Sequence, residues 1–442
     1  MILFHLTFLF GISTSTAAQS VTEAHECSIY HVGDKDTVAA QYNHHGNITA
    51  LWYDLLKPRF ARGPAYPINF GANVSDFEPI FEALIRKNVS DAFDERWPQE
   101  FLPALDRLVE EANSQRGRNS TAAEALYRRV NALGHIAHYP SLHTPLRYAI
   151  YETQIAAFLN ATSFWSTPYS DVQIPHKHGV AGEGVSIPTF YRPAPGNATE
   201  PVPVLVRLAG IDGFRSDQPH NVEQAAHEAG YAYLITEIPG TGASPALPRD
   251  PESPDRVWSS IIDWIEQQPG LDSKRIIFWG VSTGGYYGFR VAYTHRDRIL
   301  GAIGNGGWSN CVLTRNWMDI ADVGEYPTSL SQTFAWKFGY NPVAPVDSYN
   351  ASGNGSYASF LDDLPALKAA FSLVDTGLAD EDSAPLLLVD GTEDTIFPVE
   401  DSEILLGYGQ PKSARFVPGA HHPGEPEATP IILDWIAMLL RG

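Results

Sequence analysis

The segment Arg275–Tyr293, R-I-I-F-W-G-V-S-T-G-G-Y-Y-G-F-R-V-A-Y, constrains this chain more than any other. Its apolar run, Ile276 to Trp279, reads as a short buried strand. The turn G-V-S-T-G-G follows, and then Tyr287, Val291 and Tyr293 recur at helical spacing. Strand, sharp turn and helix form the setting in which G-x-S-x-G presents a serine on a nucleophile elbow. Ser282 would sit there in a strained backbone conformation with its hydroxyl exposed. Gly280 and Gly284 fall where a side chain would collide with the turn. A Gly-rich turn with a solvated serine would match the bare pattern too, so the flanking strand and helix give it its weight.

A serine on such a turn needs a carboxylate and then a histidine, in that chain order. Downstream, A-P-L-L-L-V-D-G-T-E-D supplies a buried strand, Leu386 to Val389, and a loop carrying Asp394. A second strand, Ala414 to Val417, leads to a loop with His421 and His422. The order Ser282, Asp394, His422 places all three at the C-terminal ends of strands, where open α/β sheets carry their sites. His422 would accept the Ser282 proton, and Asp394 would orient and stabilise the imidazolium. Asp390, Glu393 and Asp401 compete for the acid role, and His421 competes with His422. Asp390 sits at the strand end, too early for the turn, and Asp401 reads as a cap on the next helix.

An oxyanion hole takes one backbone N–H from the residue after the nucleophile, here Thr283. The second is expected from the loop after the third core strand, V-P-V-L-V-R-L-A-G-I-D-G-F-R, which points to Ile211. Gly210 and Gly213 would let that backbone approach a substrate. Asp212 and Arg215 either pair with each other to hold the loop or face the substrate.

The 442 residues suffice for a sizeable core, as one large domain or two ordinary ones. With 30 basic against 51 acidic residues the net charge is −21, which argues against nucleic acid and anionic membrane surfaces as partners. Residues 1–18, an apolar core followed by small residues, read as a secretory signal peptide, although they lack an early lysine or arginine. N-x-S/T acceptors stand at Asn47, Asn73, Asn88, Asn119, Asn160, Asn197, Asn350 and Asn354. Chance would give roughly two or three, so a secreted or cell-wall glycoprotein is expected. Cys27 and Cys311 are candidates for a disulfide in such an oxidising compartment. His135, His138 and His143 lack metal-ligand spacing and read as ordinary helix and loop residues. P-G-T-G-A-S at 239–244 lacks the lysine of a phosphate loop, so neither metal nor cofactor is expected.

Residues 42–165 read as helices forming a cap or lid domain, among them D-F-E-P-I-F-E-A-L-I-R and F-L-P-A-L-D-R-L-V-E-E-A. A-A-E-A-L-Y-R-R-V-N-A-L-G is expected to end at its glycine, Gly134, as a C-terminal cap. Residues 168–442 alternate strands with helices, predicting an α/β catalytic domain with a largely parallel sheet of eight strands. The last helix, T-P-I-I-L-D-W-I-A-M-L-L, should cover one face of that sheet. Residues 308–383, with Trp308, Trp317 and Trp336, read as a lid-like insertion.

Several longer stretches carry a family resemblance. They include L-A-G-I-D-G-F-R, I-P-G-T-G-A-S-P-A-L-P-R-D-P-E-S-P-D-R-V-W, G-V-S-T-G-G-Y-Y-G-F-R, E-Y-P-T-S-L-S-Q-T-F-A-W-K-F-G-Y and H-P-G-E-P-E-A. From about residue 45 onward the chain resembles the FrsA-like α/β-hydrolases, and in particular the fungal yellowish-green-type hydrolases that shorten polyketides in pigment and melanin pathways. The resemblance selects His422 over His421 and implies an α/β-hydrolase fold under an N-terminal helical cap. It also implies a possible homodimer and hydrolysis of a carbon–carbon bond next to a ketone in an aromatic polyketide, such as naphthopyrone to hydroxynaphthalene. One departure stands at G-N-G-G-W-S-N-C, where the pigment hydrolases tend to carry a Gly–Thr–His-like segment. Trp308 to Asn310 are expected there, near the mouth of the site. The 12% aromatic content would suit a flat, hydrophobic small-molecule substrate, and equally an ordinary core. The same triad would serve a carboxylesterase or lactonase, and the fold can also persist as a catalytically silent binding glycoprotein.

Overall fold

The computed structural model describes residues 27–28, 30–61, 70–196, 199–217, 220–341, 343 and 355–441. Its strands are β1 (Ser170–Pro175), β2 (Ser186–Arg192), β3 (Val202–Leu208), β4 (Ala232–Thr236), β5 (Leu271–Val281), β6 (Gly301–Asn305), β7 (Leu386–Gly391) and β8 (Ser413–Val417). They form one sheet in the order β1-β2-β4-β3-β5-β6-β7-β8. β1 and β2 pair antiparallel, as do β2 and β4, and the remaining pairs are parallel.

Parallel strands joined by helical crossovers are covered on both faces, so they read as continuous apolar runs. Alternate residues of β3 and β5 accordingly enter different cores. Val204, Val206, Ile276 and Phe278 join one core, whereas Leu205, Ile277 and Trp279 pack with Ile432, Trp435 and Ile436 of the helix Ala428–Arg441. This is the α/β-hydrolase architecture expected from the sequence.

Before β1 run the helices Val74–Arg86, Arg96–Gln115, Ser120–His138 and Pro145–Thr162. The helix Ser120–His138 continues through Gly134, where a cap was expected. Gly134 serves packing instead, because a Cβ there would stand 3.1 Å from the Gln154 Cβ on the neighbouring helix. Within 308–383 lie the helices Arg315–Ala321, Leu330–Lys337 and Tyr357–Phe371, with Trp308 and Trp317 buried.

Cys27 and Cys311 are joined in a disulfide, tying the start of the described chain to the segment after β6. Asn47, Asn73, Asn88 and Asn119 are exposed, and Asn160 is half-buried beside Arg116. Asn47 and Asn119 also cap helices through their side-chain oxygens, which accounts for an asparagine there with or without a glycan. The expected signal peptide and Asn197, Asn350 and Asn354 lie outside the described residues. Among the described residues no helix is long and apolar enough to cross a membrane.

Candidate active site

β5 passes into the helix Thr283–Thr294 with Ser282 alone between them, at φ 57° and ψ −130°. A non-glycine residue held there costs on the order of 1–3 kcal/mol and persists only where its surroundings enforce it. They do so here through close backbone contact. A Cβ on Gly280 would stand 1.8 Å from the Gly284 carbonyl oxygen, and one on Gly284 would stand 2.4 Å from that of Ala209. The Ser282 amide donates to the Asn305 carbonyl at 2.8 Å, fixing the turn against β6.

The loop after β3 reaches the serine because residue 210 has no side chain. A Cβ on Gly210 would lie 3.0 Å from the Ser282 Cβ and 3.4 Å from its hydroxyl oxygen. The amides of Ile211 and Thr283, both buried residues, have no intramolecular acceptor among the described residues. Thr283 is the first residue of its helix, so its N–H also lies at the positive end of the helix dipole.

His422 Nδ1 lies 2.6 Å from Asp394 Oδ2. Asp394 Oδ1 accepts the amides of Ile396 at 2.7 Å and Phe397 at 2.8 Å, so both oxygens of this fully buried carboxylate are engaged. Burial alone would lower the His422 pKa. The Asp394 charge and hydrogen bond, with Glu325 and Asp212 behind them, outweigh burial and raise it above the ordinary 6.5. His422 Nε2 is buried without a partner, and the imidazole and Ser282 line one cavity without being hydrogen-bonded to each other. Bonds of this kind commonly tighten only around a bound substrate.

The competing residues do not hold the His422 ring. His421 has a side chain 55% exposed and turns Nδ1 to the Glu393 carbonyl. Asp390 is raised well above the carboxylate range by burial and by Asp394 beside it. Asp390, Asp394 and His422 bring ligand atoms within 4.8 Å of one another. The Asp394 oxygens and His422 Nδ1 are already committed to hydrogen bonds.

Asp401, expected as a helix cap, lies inside the helix Val399–Glu403, where Pro398 holds the cap position. Its carboxylate instead receives the amides of Ser309 at 3.1 Å and of Asn310 and Cys311 at 2.8 Å. That bond set draws the 308–311 segment inward. Trp308 stacks on Tyr286 with ring centroids 4.0 Å apart and is not among the residues that line the cavity.

Asp212 and Arg215 do not pair. The Arg215 guanidinium meets the buried Glu237 at 2.8 Å and the Tyr151 hydroxyl at 2.6 Å, which leaves Asp212 facing the cavity. His135 pairs with Asp217 at 2.8 Å, His138 with Gln154, and His143 with the Phe93 carbonyl.

The cavity measures about 270 Å³. Leu51, Phe60, Trp97 and Tyr139 of the helical block roof it above Ser282 and His422. The insertion contributes Glu325 and Tyr326 to its wall. The loop after β3 marks Asp212 as a residue that either pairs with Arg215 or faces the substrate, but no local pattern marks Tyr139 or Tyr326, because each comes from a different segment and only the fold unites them.

A family model described as "Alpha/beta hydrolase family" matches residues 209–429, the stretch that carries Ser282, Asp394 and His422. The chain is 28% identical over 233 residues to Hydrolase ffsE of Aspergillus flavipes, covering 49% of each chain. It is 30% identical over 240 residues to Hydrolase ORFZ of Pyricularia oryzae, covering 50% of this chain and 54% of that one. It thus spans about half the length of these curated relatives. The crystal structure of the 2,6-dihydroxy-pseudo-oxynicotine hydrolase shares the fold, with a TM-score of 0.62 at 16% identity over 84% of this chain and 94% of that chain.

Proposed function

The chain belongs to the alpha/beta hydrolase family, and from that premise we propose that it is a hydrolytic enzyme, a serine hydrolase that cleaves a carbon–carbon bond next to a ketone in an aromatic polyketide. The observation that carries this reading is the 2.6 Å contact of His422 with Asp394, beside an elbow serine that opens on the same largely apolar cavity. Side-chain shortening of a naphthopyrone to a hydroxynaphthalene, as in pigment or melanin formation, fits a roof of Leu51, Phe60 and Trp97.

Ser282 Oγ attacks the side-chain carbonyl while His422 Nε2 takes its proton. The amides of Ile211 and Thr283 hold the oxyanion. When the carbon–carbon bond breaks, its electron pair leaves on the ring carbon, where the ring and neighbouring oxygens spread the charge. The proton held by His422 passes to that carbon. Water, deprotonated by the same imidazole, then releases the short acyl chain as an acid and restores the serine.

Secretion is part of the proposal, supported by the Cys27–Cys311 disulfide and by exposed acceptors at Asn47, Asn73, Asn88 and Asn119. The test is incubation of the purified protein with a naphthopyrone and with an aryl ester, followed by mass analysis of the products. Release of a short acid and a hydroxynaphthalene is expected. Ester turnover with an untouched naphthopyrone would replace this reading by that of an esterase.

A further inference from the structure

Three polar side chains from distant parts of the chain line the cavity that Ser282 opens on. Tyr139 follows the helix Ser120–His138, Tyr326 lies in the insertion, and Asp212 follows Ile211 in the loop after β3. The two phenols are only 5% and 4% exposed, with ring centroids 5.8 Å apart, and neither hydroxyl makes a well-formed hydrogen bond, although that of Tyr326 approaches Tyr139, Thr333 and Asp212. Leaving a buried hydroxyl unpaired costs about 1–3 kcal/mol, which a phenylalanine in the same space would avoid. Two such hydroxyls on one cavity wall therefore point to a ligand atom that accepts from both.

Asp212 belongs with them. Its Oδ1 and the Ser282 hydroxyl lie 3.6 and 3.4 Å from the position a Cβ on Gly210 would take, so they flank the same glycine. Burial raises the pKa of both phenols, which keeps each of them an O–H donor. A phenol is a known donor to an oxyanion in an apolar site.

The chemistry of bond cleavage gives these donors a task. When an ester breaks, the negative charge stays on the departing oxygen, close to the imidazole. When a 1,3-dicarbonyl breaks between its carbonyls, the electron pair is delocalised onto the far carbonyl oxygen, beyond the reach of the Ile211 and Thr283 amides. We propose that Tyr139 and Tyr326, with Asp212 beside them, form a second oxyanion site, which holds that far oxygen as the leaving group becomes an enolate. The two phenols donate hydrogen bonds and transfer no proton. The serine proton, carried on His422, goes to the enolate carbon, and water releases the acyl chain as before. The inference rests on Ser282 as the nucleophile and adds a reason for preference between bond types.

The test compares the full-length protein with Y139F, Y326F and the double variant on benzoylacetone, an aromatic 1,3-diketone, and on 4-nitrophenyl butyrate. Loss of an oxyanion donor typically costs on the order of 10²–10³ in rate. The diketone-to-ester ratio of kcat/KM should fall by at least about tenfold in each single variant and further in the double. A ratio that stays within about threefold of wild type would overturn the inference. A second readout is independent of turnover. In S282A, bound benzoylacetone should show a red-shifted enol absorbance that disappears in S282A/Y139F/Y326F, and a spectrum indifferent to the tyrosines would count against the site. Failure of the underlying reading looks different: S282A would keep wild-type ester turnover, or wild type would cleave the ester and never the diketone.

Discussion

The Asp394 carboxylate is held at both ends, with Oδ2 2.6 Å from His422 Nδ1 and Oδ1 on the amides of Ile396 and Phe397. A carboxylate so fixed sets the tautomer and direction of the imidazole, leaving Nε2 free to act as a base. Because the base must be neutral and its pKa is raised, kcat/KM should rise with pH through a midpoint above 6.5. In D394N the charge is gone while the burial remains, so the midpoint should move down and kcat should fall by roughly 10⁴. Steady-state profiles of both proteins provide the check, and a wild-type rate that is flat between about pH 4 and 8 would contradict the assignment.

The elbow glycines carry a prediction about folding. G280A would drive a methyl group into the Gly284 carbonyl, 1.8 Å away, with backbone on both sides and no flexible side chain to yield. The loss should be about 3 kcal/mol or more, read as a lower urea midpoint. Wild-type stability for G280A would mean that the turn is not shaped as described.

Glu237 should matter for stability. It is the buried partner of Arg215 at 2.8 Å, and its removal leaves that guanidinium uncompensated. E237A should cost about 3–5 kcal/mol in chemical denaturation, whereas D212N, which breaks no ion pair, should cost far less. Equal losses would restore the pairing of Asp212 with Arg215.

The disulfide closes a loop of 284 residues between Cys27 and Cys311. Reductant should lower the melting temperature of wild type and leave that of C27S/C311S unmoved. The difference should correspond to about 2–4 kcal/mol.

Much of this architecture was legible before any coordinates. Strands buried on both faces announce themselves as apolar runs, and the fixed order of serine, acid and histidine narrows the choice of site residues. What escaped was contact between segments far apart in the chain. Gly134 looks like a helix end because a close neighbouring helix and a cap both demand glycine, and only the position of Gln154 separates the two. Asp401 looks like a cap because its amide partners at 309–311 lie some ninety residues earlier. Tyr139 and Tyr326 carry no local mark at all, since their unpaired hydroxyls exist only once the cavity has formed.

Ser282 as the covalent nucleophile is the centre of the account, and the acyl-enzyme tests it most directly. Wild-type protein turning over an aromatic 1,3-diketone should be quenched in acid within a turnover, digested, and its Ser282 peptide weighed. The account predicts a mass increase equal to the acyl fragment on Ser282, and no turnover in S282A. An unmodified peptide together with wild-type turnover by S282A would contradict it.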